Sequence, residues 1–165
     1  MGVADIKNFL VIDERLASAG QPTEQQLADV AAAGYSAVIN LGLLDPRYCL
    51  TDEAAVCSAL SLRYRHIPVA FEAPLVTDFE AFLRAMAELS PDRVLVHCAA
   101  NYRASSFLAL YAELKLGWSR QRAEDLARSQ WQPNPVWLGF LATCRGRWLD
   151  SAPPSSGKLR LSSTG

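Results

Sequence analysis

Histidine is scarce in this 165-residue chain, which holds only His66 and His97. Its four cysteines, Cys49, Cys57, Cys98 and Cys144, show no metal-ligand spacing, so no metal centre and no cofactor are expected. Thiols without a pairing pattern fit a reducing compartment, and a cytoplasmic location is expected. Long apolar runs are missing as well. No stretch approaches the ~20 residues of a membrane span, so no membrane partner is expected. Asp5, Lys7, Asp13, Glu14 and Arg15 leave no apolar region ahead of Ala17-Ser18-Ala19, which only mimics a signal cleavage site. Ile6 stands where an N-myristoylation signal needs Ser or Thr. Charge of one sign is not in excess either. A net charge of −1 and a pI near 6.1 argue against a nucleic-acid partner.

What is present is enough apolar residue for a proper core, 50% of the chain, and it reads as one globular domain over residues 1–149. Residues 150–165, rich in Ser, Pro and Gly, read as a disordered tail. Two short apolar pieces, 9–12 and 16–19, read as a hairpin or edge strands. Pro22-Thr23-x-x-Gln26 opens a helix through Ala33, and Gly34 closes it. Strands are expected at 36–41, 63–69 and 93–97. Helices are expected at 52–60, 77–89, 103–116, 120–130 and 135–149. Strands alternating with helices make this an α/β chain with a mostly parallel central sheet of four to five strands flanked by helices. Trp131, Pro133, Asn134 and Trp137 read as a core or helix-joining turn, with a substrate-facing edge as the alternative.

The segment from Val94 to Ser105 carries the chemistry. Val94-Leu95-Val96 is an apolar β run suited to a strand buried on both faces. His97-Cys98 ends it, a loop of small residues follows, and Phe107, Leu108, Leu110, Tyr111 and Leu114 recur at helical spacing. Loop amides and the first helical turn favour negative charge at one spot. The same field, with a nearby cation, favours a thiolate. Arg103 can grip a tetrahedral oxyanion through two parallel hydrogen bonds. The plain alternative is an inert buried thiol beside an ordinary surface arginine.

These residues resemble the signature of the cysteine-dependent protein tyrosine and dual-specificity phosphatases: His-Cys, five residues, Arg, then Ser or Thr. Ser36-Ala37-Val38-Ile39-Asn40-Leu41 is similar to their "VINL" strand, and Tyr64-Arg65-His66-Ile67-Pro68-Val69 to their "Y-x-x-IPV" strand. Ser18-Ala19-Gly20-Gln21-Pro22-Thr23 resembles the "SGQPT" opening of small bacterial members. The resemblance implies a dual-specificity-phosphatase-like fold and a phosphomonoester hydrolase acting on a phosphorylated protein or a small phosphomonoester. It implies Cys98 as nucleophile, Arg103 as phosphate clamp, and His97 as the residue that tunes the thiol. Ala99, Ala100, Asn101, Tyr102 and Arg103, with Asp45 from another loop, are the expected substrate-binding residues.

Three departures stand out. Four residues separate Cys98 from Arg103, Ala104 follows the arginine with Ser105 one place late, and Ala70 stands where an aspartate usually follows "IPV". Glu72 is the first candidate for the general acid, ahead of Asp78, whose Thr77-Asp78-Phe79-Glu80 setting reads as a helix start, and Asp45. Asn101 falls where the family carries Gly, and Asn tolerates positive φ. The short loop also resembles that of rhodanese-type sulfurtransferases, with Cys98 carrying a persulfide. A non-catalytic phosphate-binding module is the remaining reading.

Overall fold

The computed structural model describes residues 2–150. Its five-stranded sheet has the order β1-β2-β5-β3-β4. The strands are β1 (Leu10–Val11), β2 (Leu16–Ala19), β3 (Ala37–Asn40), β4 (Arg63–His66) and β5 (Val94–His97). Only the β1–β2 hairpin is antiparallel; β2, β5, β3 and β4 run parallel. Six α-helices follow among the described residues: α1 (Glu24–Ala32), α2 (Glu53–Ala59), α3 (Val76–Leu89), α4 (Tyr102–Lys115), α5 (Arg120–Arg128) and α6 (Pro135–Arg145). The chain is a single α/β domain with a mostly parallel sheet flanked by helices. Residues 151–165 of the expected tail lie outside the described residues, and Asp150 ends a short π-helical turn after α6.

Alternation along the buried strands sends successive side chains to opposite faces. Leu16, Ala37, Ile39, Val94 and Val96 pack with Phe79, Phe82, Phe107, Trp137 and Phe140 of α3, α4 and α6. Ala17, Ala19, Val38 and Leu95 pack with Leu27, Val30 and Cys57 of α1 and α2. Each of the larger side chains contributes roughly 1.5–3 kcal/mol by leaving water. Trp137, in the first turn of α6, is fully buried, in keeping with the core role expected for it.

The elements fall close to their expected ranges, with three instructive differences. β2 is interior, between β1 and β5, because all four of its residues are buried. β4 ends at His66, yet Ile67 and Val69 still donate to the carbonyls of Asn40 and Leu41 at 2.9 and 3.0 Å. The last helix stops at Arg145 and widens into the turn Gly146–Asp150. No helix among the described residues is long and apolar enough to cross a membrane.

The chain passes from β2 over to β3, outward to β4, and back to β5 in the middle. The strand order therefore reverses around β5. In open α/β sheets such a switch point opens a crevice at the C-terminal strand ends. Cys98 follows β5 there.

Candidate active site

The backbone turns from β5 into α4 over only four residues. Asn101 makes that turn at φ 74° and ψ 2°, the left-handed region. Its side chain does not cap α4; Asn101 Nδ2 instead donates to the Asn8 carbonyl at 2.7 Å. Asn8 Nδ2 returns a bond to the Ala100 carbonyl at 2.9 Å. The leading amides of α4 lack intrahelical acceptors, as at any helix start, and leave positive potential at the loop.

A cavity of about 240 Å³ sits on this loop, lined by Phe71, Cys98, Ala99, Ala100, Tyr102 and Arg103. Five of the expected site residues thus meet at one hollow. Cys98 is 1% exposed and is reached through it. Arg103, also buried, donates from Nη1 to the Val69 carbonyl at 2.7 Å, and its guanidinium lies 6.0 Å from the Phe71 ring centre. That bond ties the arginine to the stretch following β4, and Trp137 Nε1, donating to the Phe71 carbonyl at 2.8 Å, holds Phe71 beside the pocket. Asn101 does not line the hollow; it is buried and braces the loop against Asn8. Ser105, the displaced hydroxyl, donates to the Tyr102 carbonyl at 3.3 Å.

Three candidate carboxylates lie outside the pocket lining. Asp45 is engaged with Arg47, which reaches it from Nη2 at 2.6 Å. The hydrogen bonds from Arg47 hold its carboxyl down at about 2, and its backbone carbonyl accepts from Cys49 N at 2.8 Å. It organises its own loop. Asp78 accepts from Leu75 N at 2.9 Å and closes the start of α3, the structural role its sequence setting implied; burial pushes its carboxyl up. Glu72 is exposed and follows Phe71 directly, in a turn closed by Ala73 N donating to the Ala70 carbonyl at 3.1 Å.

His97 is buried under the loop. Its Nε2 donates to Glu53 Oε2 at 2.5 Å, and its Nδ1 faces the Cys98 carbonyl at 3.4 Å. Burial pushes the Glu53 carboxyl up, but the hydrogen bond and charge of His97 and the amide of Gln21 outweigh it, leaving it below the usual carboxylate range. Gln21 reaches Glu53 Oε1 from Nε2 at 2.9 Å, while its backbone N donates to the Ala99 carbonyl at 3.1 Å. Next to it, Gly20 pairs with Ala100. A Cβ at Gly20 would stand 2.7 Å from Ala99 O and 3.2 Å from Ala100 Cα, both backbone atoms. Gly20→Ala is therefore expected to cost about 1–3 kcal/mol by overpacking. Denaturant unfolding measures that loss; an unchanged midpoint would show that the loop yields.

Sequence reasoning missed Phe71, Glu53, Gln21 and Asn8 as parts of this site. Trp131 stacks on Tyr102 with ring centres 5.0 Å apart and planes at 3°, and packs on Phe71 at 5.3 Å. It thereby backs two residues of the pocket lining without itself lining the hollow. The remaining thiols are not paired with Cys98. Cys57 packs on the opposite sheet face, where burial pushes its thiol up to about 12. No group of three or more His, Cys, Asp or Glu among the described residues forms a cluster able to hold a metal.

No family model matches the chain. It is 33% identical over 121 residues to a curated protein of Xylella fastidiosa named "Beta-lactamase hydrolase-like protein", an alignment covering 72% of this chain and 28% of that protein. The chain thus spans under a third of the curated relatives it matches. A solved structure from Shewanella putrefaciens CN-32, "Putative phosphatase (DUF442)", superposes with a TM-score of 0.80 at 32% identity, over 88% of this chain and 96% of that one. The structure of Tk-PTP in its active form superposes with a TM-score of 0.73 at 23% identity, over 84% of this chain and 97% of that one. At that identity the second likeness shows the fold.

Proposed function

Because the chain belongs to the protein tyrosine and dual-specificity phosphatase superfamily, in its small bacterial branch, we propose that it is a phosphomonoester hydrolase with Cys98 as nucleophile. The observation that carries this is the gathering of Cys98, Arg103 and the N-terminus of α4 around one cavity. A phosphoryl group there meets a thiol, a guanidinium and backbone amides together. Cys98 Sγ attacks phosphorus and the bond to the leaving oxygen breaks. Loop amides and Arg103 match the charge on the equatorial oxygens. A carboxylic acid protonates the leaving oxygen. Water then attacks the phosphocysteine, gives its proton back to that carboxylate, and expels the thiolate. Two easier steps replace one hard one.

Glu72 is our choice for the acid. Of the three candidate carboxylates, Asp45 is held by Arg47 and Asp78 by the start of α3. Glu72 rides on the turn that Arg103 anchors through Val69. The pocket walls, Phe71, Tyr102, Ala99 and Ala100, are apolar or aromatic, and Arg103 is the one cation in the lining. That suits a single phosphate carried on a flat or apolar group, such as a tyrosyl phosphate, better than a polyphosphate, which needs several cations.

One paired experiment tests this. Wild type and Glu72→Ala are assayed on phenyl phosphate and, separately, on thiosulfate with cyanide. The expected result is phosphate release by wild type, reduced about a hundredfold in Glu72→Ala, with no thiocyanate. Thiocyanate without phosphate would make the chain a sulfurtransferase, the reading its four-residue loop also fits. Unchanged kcat in Glu72→Ala would remove Glu72 from the mechanism.

A further inference from the structure

We infer that Glu53 and Gln21 are positioning residues for the Cys98 thiol, acting through His97; for the reaction served, this rests on the phosphocysteine reading above. Glu53 begins α2 and is 6% exposed. A carboxylate so buried is costly unless it is paired and hydrogen-bonded. Both of its oxygens are engaged, Oε2 by His97 and Oε1 by Gln21.

The imidazole stands between that carboxylate and the cysteine loop. Nε2 faces Glu53 Oε2 and Nδ1 faces the Cys98 carbonyl. An ionised carboxylate and a carbonyl can only accept, so both ring nitrogens donate only when the ring carries two protons. A ring carrying both protons would be a buried cation next to the nucleophile in the chain, with its counter-charge on the far side. Cations beside a cysteine favour its thiolate. Gln21 joins the two halves of the device: its side chain holds the carboxylate, and its backbone holds the Ala99 carbonyl of the loop. Gly20 allows that contact by lacking a Cβ.

Other titratable groups face this pair. Cys57 and Tyr64, near Glu53 on α2 and β4, are both pushed up to about 12 by burial and stay neutral in the test below. His66 lies near Glu53, with its Nε2 2.7 Å from the Gly42 carbonyl; it is common to every variant compared.

The test is iodoacetamide alkylation of Cys98, followed by mass spectrometry of its peptide because Cys49 is partly exposed. Wild type, Glu53→Gln, His97→Asn and the double variant are compared at about pH 6.5 and about pH 9. We expect Glu53→Gln to alkylate roughly tenfold more slowly at the lower pH, with the deficit closing at the higher pH, where thiols ionise unaided. We expect no further loss when Glu53→Gln is added to His97→Asn. A merely structural role would slow or speed both pH values alike. Equal alkylation of wild type and Glu53→Gln at pH 6.5, or an undiminished loss in the His97→Asn background, overturns the inference. If Glu53→Gln does not fold, Gln21→Ala keeps the carboxylate and should show the same pH-dependent deficit at about threefold; no deficit there also overturns it. Alkylation needs no turnover. A wild type that released no phosphate would sink the phosphatase reading and leave this result standing.

Discussion

Cys98→Ser is expected to lower kcat on an aryl phosphate by at least about a thousandfold while the chain stays folded. The thiolate, not the thiol, is the nucleophile, and a serine hydroxyl has no comparable ionised form near neutral pH. The exchange replaces sulfur by oxygen at a buried position between β5 and α4 and removes no carbon. It leaves the bonds between the loop and Gln21 and Asn8 in place, since those involve the Ala99 and Ala100 carbonyls and the Asn101 side chain. Inorganic phosphate should therefore still bind the variant. Steady-state kinetics with a calorimetric phosphate titration read both halves of the prediction. Phosphate release surviving in Cys98→Ser would place the nucleophile elsewhere and end the phosphocysteine mechanism.

The second large effect is at Arg103. Arg103→Lys keeps the charge and loses the planar fork, and should cost roughly a hundredfold or more in kcat/KM. Nη1 is already committed to the Val69 carbonyl at 2.7 Å, and the other guanidinium donors remain to grip phosphate oxygens two at a time. A lysine ammonium cannot do both from one point. Because the same donors hold the phosphate before and during transfer, KM should rise as kcat falls. The turn carrying Phe71 loses one of its anchors and keeps the bond from Trp137 Nε1 to the Phe71 carbonyl, so discrimination between aryl and alkyl phosphates should narrow only slightly. A loss under about threefold would mean that the loop amides alone carry the anion.

Much of this site is local in the chain, and that part was readable without coordinates. Val94-Leu95-Val96 has no polar face, which demands a strand covered on both sides. Asn101 tolerates the left-handed turn that a four-residue link between β5 and α4 imposes, and the structure places it at φ 74°. The capping box of Thr23 and Gln26 formed as its spacing implied, each side chain bonding the other's backbone at 3.0 Å. In the quoted "SGQPT" stretch, the sequence marked Gly20 and Gln21 by resemblance alone. Their physical work, allowing close approach to Ala99 and clamping Glu53, needed the fold.

The pairs that a one-dimensional reading could not supply are those that the sheet brings together across long separations. Glu53 and His97 lie 44 residues apart, Arg103 and Val69 lie 34 apart, and Asn8 and Asn101 lie 93 apart. Nothing in Asp52-Glu53 distinguishes a carboxylate that begins a surface helix from one that turns inward to an imidazole; the choice was made when β3 and β5 paired and α2 settled on their shared face. Likewise Trp131 reads as any helix-joining aromatic until α4 and the turn before α6 set it flat on Tyr102. The chain's own periodicity determined its strands, its helices and the strand-loop-helix that carries Cys98, because hydrophobic burial and backbone geometry act over a few residues. The tertiary structure decided which distant polar groups would share the interior with that loop. Such a group can be buried only where a partner already waits to satisfy it, and that place exists only once the chain has folded.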